Sequence, residues 1–334
     1  MYYFCTYFDH RYISRALALY NSIKQHVPDF QLWALCMDQL SYMTMMQLNL
    51  PEIELIPLEE FEDNDTPLLN AKENRSIVEY YFTCTPSLPL YVLNQNQEID
   101  LITYLDSDLY FFSSPLPIFK ALGEHSIAVI EHRFPPNLRF LEDRGLFNVG
   151  WLSFRRDKFG LACLQDWRGK CLEWCFDYVE AGRYADQKYL DDWPKKFSNL
   201  IIIKHPGANL APWNIQNHHI YPADGHIYVD NQPLIFFHFQ GLFQARSWLF
   251  HTGFISYGKR PPRIVRRKIY APYARLLVKN QTHIYGLDSE KYSKTGRYLE
   301  QPIKINVYEK NKQRLMNLLV GEYLFYFPKD HVIY

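Results

Sequence analysis

Over the first 130 residues, short apolar runs alternate with stretches whose apolar positions recur every three or four residues. Residues 1–8 are almost wholly apolar or aromatic and predict a first strand. From Arg11 to Val27 the positions Ile13, Ala16, Leu17, Leu19, Tyr20 and Ile23 predict an amphipathic helix. Gln31–Met37 predicts a second strand ending at Asp38, and Ile53–Pro57 a third. Residues 76–93 have a helical pattern broken near Pro86 and Pro89. Leu101–Leu105 is the next predicted strand, and Ile127–Ile130 another, after a short helix. Strands alternating with helices predict an α/β fold, with a mostly parallel central sheet covered by helices on both faces. In such sheets ligands sit beyond the carboxyl ends of the strands.

The pattern changes between Gly241 and Leu287. Arg246, Lys259, Arg260, Arg263, Arg266, Arg267, Lys268, Arg275 and Lys279 fall there with no Asp or Glu among them. The chain as a whole is balanced, with 36 basic and 36 acidic residues, so this stretch concentrates positive charge. Trp248, Phe250, Phe254, Ile264, Val265, Ile269 and Tyr270 are interleaved with it. Such a stretch suits an anionic membrane surface or a pyrophosphate-bearing substrate, or it is a solvated helix neutralised elsewhere. No nucleic-acid recognition motif accompanies it. Residues 288–334 are mixed and charged, with an apolar finish at Leu318–Phe327 that predicts a tail packing back on the body. The domain organisation expected is a catalytic unit over 1–245 and a basic, aromatic extension over 246–334.

Composition narrows the class. Aromatics make up 17% of 334 residues, which suits core packing and the binding of bases or sugar rings alike. The N-terminus lacks the basic start and apolar core of a signal peptide, and no run has the length of a membrane span. Six cysteines, at 5, 36, 84, 163, 171 and 175, form no Cys-x-x-Cys pair and no zinc pattern, so buried free thiols in a reducing cytoplasm are expected.

Candidate chemistry centres on Asp106 and Asp108, where the run Leu101–Leu105 ends. In an extended chain residues two apart face the same side, and two carboxylates aimed at one point repel unless a cation lies between them. Hard oxygen ligands suit Mg²⁺ or Mn²⁺ held against substrate phosphates. Four further segments stand out: Phe147-Asn148-Val149-Gly150, Asp186-Gln187, the run His205–Asn214, and Phe237-His238-Phe239-Gln240-Gly241.

In this order the motifs resemble the retaining GT-A glycosyltransferases of the glycogenin and bacterial lipooligosaccharide galactosyltransferase type, over roughly residues 1–245. The resemblance implies a Rossmann-like GT-A fold and transfer of a sugar from a nucleotide-diphosphate sugar to a hydroxyl of a glycan or lipid-linked acceptor, in bacterial surface glycan synthesis. It implies Asp106, Asp108 and His238 as metal ligands. A histidine among them favours Mn²⁺ over Mg²⁺, imidazole being the softer ligand. It further implies that Asn148 contacts a sugar, that Asp186 and Gln187 flank the reacting carbon, and that Thr6 and Tyr7 hold the base. Arg75 and Gly241 join the donor contacts. The expected setting is cytoplasmic, with peripheral contact at the inner face of the membrane through residues 246–280.

Two features depart from that pattern. The lipooligosaccharide enzymes follow a late His-x-x-Gly with Lys-Pro-Trp, whose lysine meets the donor phosphate. Here Leu242-Phe243-Gln244-Ala245 follows Gly241, and Arg246 is the nearest cation. Asn209–Trp213 also sits in an unusual place, either lining the sugar pocket or anchoring a loop. Two other classes stay open on the sequence: a nucleotidyltransferase or phosphotransferase on a similar sheet, and a sugar-binding protein without turnover.

Overall fold

The structure is a computed structural model that describes residues 1–246, 248–258, 260–287, 322–327 and 332–333. Lys259 and most of the expected tail lie outside the described residues.

Strand β1 (Tyr2–Phe8) runs through the centre of a seven-stranded sheet. With it lie β2 (Phe30–Cys36), β3 (Ile53–Pro57), β4 (Leu101–Leu105), and beyond a short β5 (Leu109–Phe111), β6 (Ile127–Glu131), β7 (Phe147–Arg155) and β8 (Leu200–Ile202). The sheet order is β3-β2-β1-β4-β7-β6-β8. Alternation along β1 explains its apolar run: Cys5 faces one core and Phe4 the other. Helices Ile77–Cys84, Ser87–Gln95 and Lys158–Glu173 cover the first face, and Ile13–His26 packs on the second. The expected break near Pro86 separates the first two of these helices.

β1 pairs in parallel with β2 and β4, whereas β7 runs antiparallel to both β4 and β6. That reversal places the start of β7 at the carboxyl ends of β1 and β4. A small sheet of β9 (Ile220–Ala223), β10 (His226–Val229) and β11 (Gln232–Pro233) follows. Then β12 (Phe236–His238) pairs antiparallel with β5, setting His238 opposite Leu109.

The expected boundary at residue 245 falls inside β13 (Phe243–Arg246), which pairs with β14 (Leu249–His251); β15 (Tyr323–Phe327) and β16 (Val332–Ile333) extend that sheet. One apolar cluster crosses the boundary. Phe237, Phe239 and Leu242 pack with Phe254, Val265, Ile269, Tyr270, Tyr273 and Leu277. In the basic stretch most apolar residues therefore turn inward, while Trp248 and Ile255 stay exposed. Arg246, Arg260, Arg263, Arg267, Lys268 and Lys279 stay exposed, while Arg266 donates to the Tyr323 carbonyl. Helix Ala271–Leu287 is tied to the body by Asn280, which donates to the Ser14 carbonyl at 2.9 Å.

Trp151 fastens β12 to the large sheet. It is 1% exposed and stacks on Phe236 with ring centroids 5.6 Å apart, among Phe4, Phe111 and Phe119. Replacing Trp151 with Ala leaves a cavity beneath β12, and we expect a loss of roughly 3–5 kcal/mol in unfolding free energy. Urea titration checks this; a loss below about 1 kcal/mol would show that the contact does not anchor β12.

Candidate functional site

Asp106 and Asp108 do not lie on an extended strand as their spacing suggested. They sit in a tight turn between β4 and β5, closed by the Leu109 N–H donating to the Asp106 carbonyl at 3.2 Å. The Asp106 N–H donates to Gly150 O, and the Phe239 N–H to Asp108 O, each at 3.1 Å. The turn is thus stitched to β7 on one side and to the end of β12 on the other. Convergence of the two carboxylates comes from this reversal, not from strand pleating.

His238 completes the corner. Its Nε2 lies 3.1 Å from Asp108 Oδ1 and 3.6 Å from Asp106 Oδ2. Among the described residues these three offer ligand atoms all within 4.8 Å of one another. His238 is 1% exposed, and no hydrogen bond satisfies its Nε2. Tyr104, two residues before Asp106, donates its hydroxyl to Asp106 Oδ1 at 2.8 Å. Burial and the neighbouring Asp108 push Asp106 up to about 6, against the pull of His238 and Tyr104. For Asp108 burial acts in the same upward direction, but the charge and contact of His238, with help from Arg15, hold it below the usual range. Burial would lower His238; Asp108 and Asp106 reverse that and raise it. Two partly buried acids and one buried imidazole that need positive charge fit a divalent ion.

Asn148 and Gly150 share one face of β7. His238 Nδ1 lies 3.1 Å from Asn148 Oδ1, which also accepts from the Gly150 N–H at 3.1 Å. Asn148 Nδ2 lies 3.3 Å from His132 Nε2. A Cβ on Gly150 would come within 2.7 Å of Asn148 Oδ1 and 2.9 Å of His238 Nδ1, so the Asn-x-Gly spacing is a steric requirement for the imidazole to reach Asn148.

A cavity of about 200 Å³ opens beside the corner. Tyr7, Asp106, Asn148, Asp186, Gln187 and His238 all line it. Asp186 is 5% exposed and follows Ala185, which sits in the left-handed region at φ 45°. Burial pushes Asp186 up to about 7, with Asp106 reinforcing and the Thr85 hydroxyl opposing. Gln187 donates to the Arg144 carbonyl at 2.9 Å. Trp213 also lines the cavity and meets the His238 ring edge-on, with centroids 5.1 Å apart. Its indole N–H donates to the His132 carbonyl at 2.9 Å, so the Asn209–Trp213 segment both lines the pocket and is anchored there.

The remaining expected residues lie apart. Thr6 is fully buried, its hydroxyl without a partner, and it does not line the cavity; strand alternation turns it away from Tyr7. Arg75 stacks over Phe176 at 3.9 Å and donates to the Leu172 and Glu173 carbonyls, closing the end of helix Lys158–Glu173. Gly241, at φ 76°, makes the turn after His238 and lies against Gly253, where a Cβ would fall 2.8 Å from the Gly241 carbonyl carbon. Arg246 is exposed at the end of β13. His132, Tyr104, Thr85 and Tyr257 went unread as site residues. Only Tyr104 carried a sequence signal, its i, i+2 relation to Asp106.

No family model matches the chain. It is 32% identical over 275 residues to the Bacillus subtilis uncharacterized protein YfnD, covering 81% of this chain and 87% of that one. The B. subtilis uncharacterized protein YfnF is 34% identical over 246 residues, covering 71% and 80%. Among solved structures, the galactosyltransferase LgtC in complex with donor and acceptor sugar analogues superposes with a TM-score of 0.51 at 17% identity, covering 82% of this chain and 95% of that one. The chain belongs to the family of YfnD and YfnF, and its fold is the GT-A fold of LgtC.

Proposed function

We propose that this protein is a glycosyltransferase that moves a sugar from a nucleotide-diphosphate sugar to a hydroxyl acceptor. The observation that carries the reading is the meeting of Asp106, Asp108 and His238 at one point beside a cavity that also holds Asp186 and Gln187. LgtC, which shares the fold, was solved with donor and acceptor sugar analogues. Asp106, Asp108 and His238 would hold Mn²⁺ or Mg²⁺, with the imidazole favouring Mn²⁺. Such an ion supplies Lewis-acid stabilisation of the charge that develops on a departing diphosphate.

The chain's own side chains do the rest. Tyr7 offers a ring at the carboxyl end of β1, where a base would lie. Asp186 brings a carboxylate to the side of the sugar where positive charge develops at the anomeric carbon. Gln187, braced on the Arg144 carbonyl, fixes the wall beside it. The likeness of the motifs to retaining enzymes supports attack on the face from which the diphosphate leaves. In this reading residues 1–245 are the catalytic unit and the later segment is fastened to it by the shared apolar cluster. The acceptor is a glycan or lipid-linked hydroxyl of the bacterial surface. The exposed cations of residues 246–280 suit peripheral contact with anionic lipid; among the described residues no helix is long and apolar enough to cross a membrane.

A panel of nucleotide sugars, assayed for free nucleoside diphosphate with Mn²⁺ and with chelator, tests the reading. We expect turnover with Mn²⁺ and its loss in chelator. Asp108→Ala should reduce turnover by more than about 100-fold with the fold intact by circular dichroism. Release of pyrophosphate or inorganic phosphate instead would move the protein to another reaction class.

Asp186 gives a pH prediction. Its carboxyl is neutral below about 7 and ionised above. A carboxylate that supports a cationic carbon works only when ionised, so turnover should fall as pH drops through that value. Asp186→Asn should lower turnover and flatten this limb of the pH–rate profile; an unchanged limb would assign it to another group.

A further inference from the structure

Asn148 stands between two histidines, and the neighbouring backbone settles which way its amide faces. The Gly150 N–H is an obligate donor, so the Asn148 atom facing it at 3.1 Å is the carbonyl oxygen. Nδ2 must then face His132, 3.3 Å away. An amide NH₂ only donates, so His132 Nε2 has to accept and carry no proton. The His132 proton therefore sits on Nδ1, where Leu146 O lies 3.3 Å away to take it. Burial holds His132 down to about 3, so the ring is neutral and keeps one tautomer at any working pH.

The same amide acts on the other side. Asn148 Oδ1 only accepts, so the His238 Nδ1 that meets it at 3.1 Å carries a proton. That leaves Nε2, the atom aimed at Asp106 and Asp108, as the nitrogen whose lone pair a cation can take in place of a proton. His132, Asn148 and His238 are each nine-tenths buried or more, so their mutual bonds are largely shielded from water.

We propose that His132, acting through Asn148, is a positioning residue that, together with the Gly150 N–H, holds the amide in the orientation that presents His238 Nε2 to a divalent cation. This rests on the metal-site reading above and deepens it. The ring of His132 is itself held, stacked on Phe134 with centroids 4.7 Å apart and packed edge-on against Trp213 at 5.2 Å. Removing its acceptor nitrogen strands the buried Nδ2 of Asn148 without a partner. The amide is then held on its oxygen side alone, and it loosens its hold on His238.

The test uses the full chain and Mn²⁺ alone, with no sugar. His132→Phe keeps an aromatic ring between Phe134 and Trp213 but removes the acceptor; His132→Gln keeps a carbonyl to accept from Asn148. Mn²⁺ affinity is read by electron paramagnetic resonance, and the thermal midpoint is measured without metal. We expect His132→Phe to weaken Mn²⁺ binding about 10- to 100-fold with a near-native midpoint, and His132→Gln to recover much of it. In metal-free wild-type protein, ¹⁵N-histidine correlation spectra should show His132 as the Nδ1–H tautomer. Equal Mn²⁺ affinity in His132→Phe, or an Nε2–H tautomer at His132, overturns the inference. If the wild type binds no Mn²⁺, the metal-site reading fails, and the His132 tautomer alone then decides whether the relay exists.

Discussion

Two partly buried carboxylates facing an imidazole nitrogen that has no hydrogen bond is the arrangement on which the rest of the site depends. At about 4 Å, two like charges in a partly buried setting cost roughly 4 kcal/mol, more than most single contacts contribute. The fold keeps the three groups together despite this. Asp106 and Asp108 are fixed by a turn bonded to β7 and β12, and His238 is fixed by β12 pairing with β5. Three segments far apart in sequence are locked backbone to backbone, so the repulsion cannot relax by the side chains drifting apart. Only a cation or a proton relieves it.

The backing of β12 comes from beyond residue 245. Phe237 and Phe239 flank His238 and point the opposite way, as alternation requires. Phe239 stacks on Tyr273 with centroids 3.7 Å apart, and Phe237 meets Tyr270 edge-on at 5.4 Å. Those tyrosines belong to the basic stretch, whose apolar positions read in sequence as contacts for a membrane or a ligand. Their first use is to press β12 against the site. The charges are left outside because cations resist burial and an aromatic face does not.

What was legible in the sequence was whatever rests on local pattern. The strands and helices up to Ile130 follow from periodicity, because each buries one face or two. Asp106 and Asp108 stood out because acids among aromatics demand compensation. Asp-Ser-Asp also suits a turn, but its apolar flanks favoured a strand end; the reversal is held by hydrogen bonds to β7 and the end of β12. Asn148 was visible as part of Phe-Asn-x-Gly but with an open role, because its partners, His132 and His238, are brought to it only by the sheet. His132 looked like any residue at a strand end. Arg75 stands apart from the cavity for the opposite reason: a lone cation near a motif looks purposeful, while packing gives it the carbonyls of Leu172 and Glu173 and the ring of Phe176.

Residue 148 shows why a particular side chain is required at such a junction. The position must accept from the His238 Nδ1–H and the Gly150 N–H on one side and donate to His132 on the other. A carboxylate accepts on both sides, and it would leave His132 Nε2 facing a second acceptor. It would also add a further negative charge, itself buried, beside Asp106 and Asp108. A hydroxyl has one donor and too short a reach for both neighbours. A carboxamide alone offers an acceptor and a donor on opposite edges without charge. Gly150 follows from the same geometry, since the room in front of its Cα is filled by the amide oxygen and the imidazole. The Asn-x-Gly pair thus encodes a hydrogen-bond direction that neither residue shows alone, and donation runs from the His238 Nδ1–H through Asn148 and His132 to the carbonyl of Leu146.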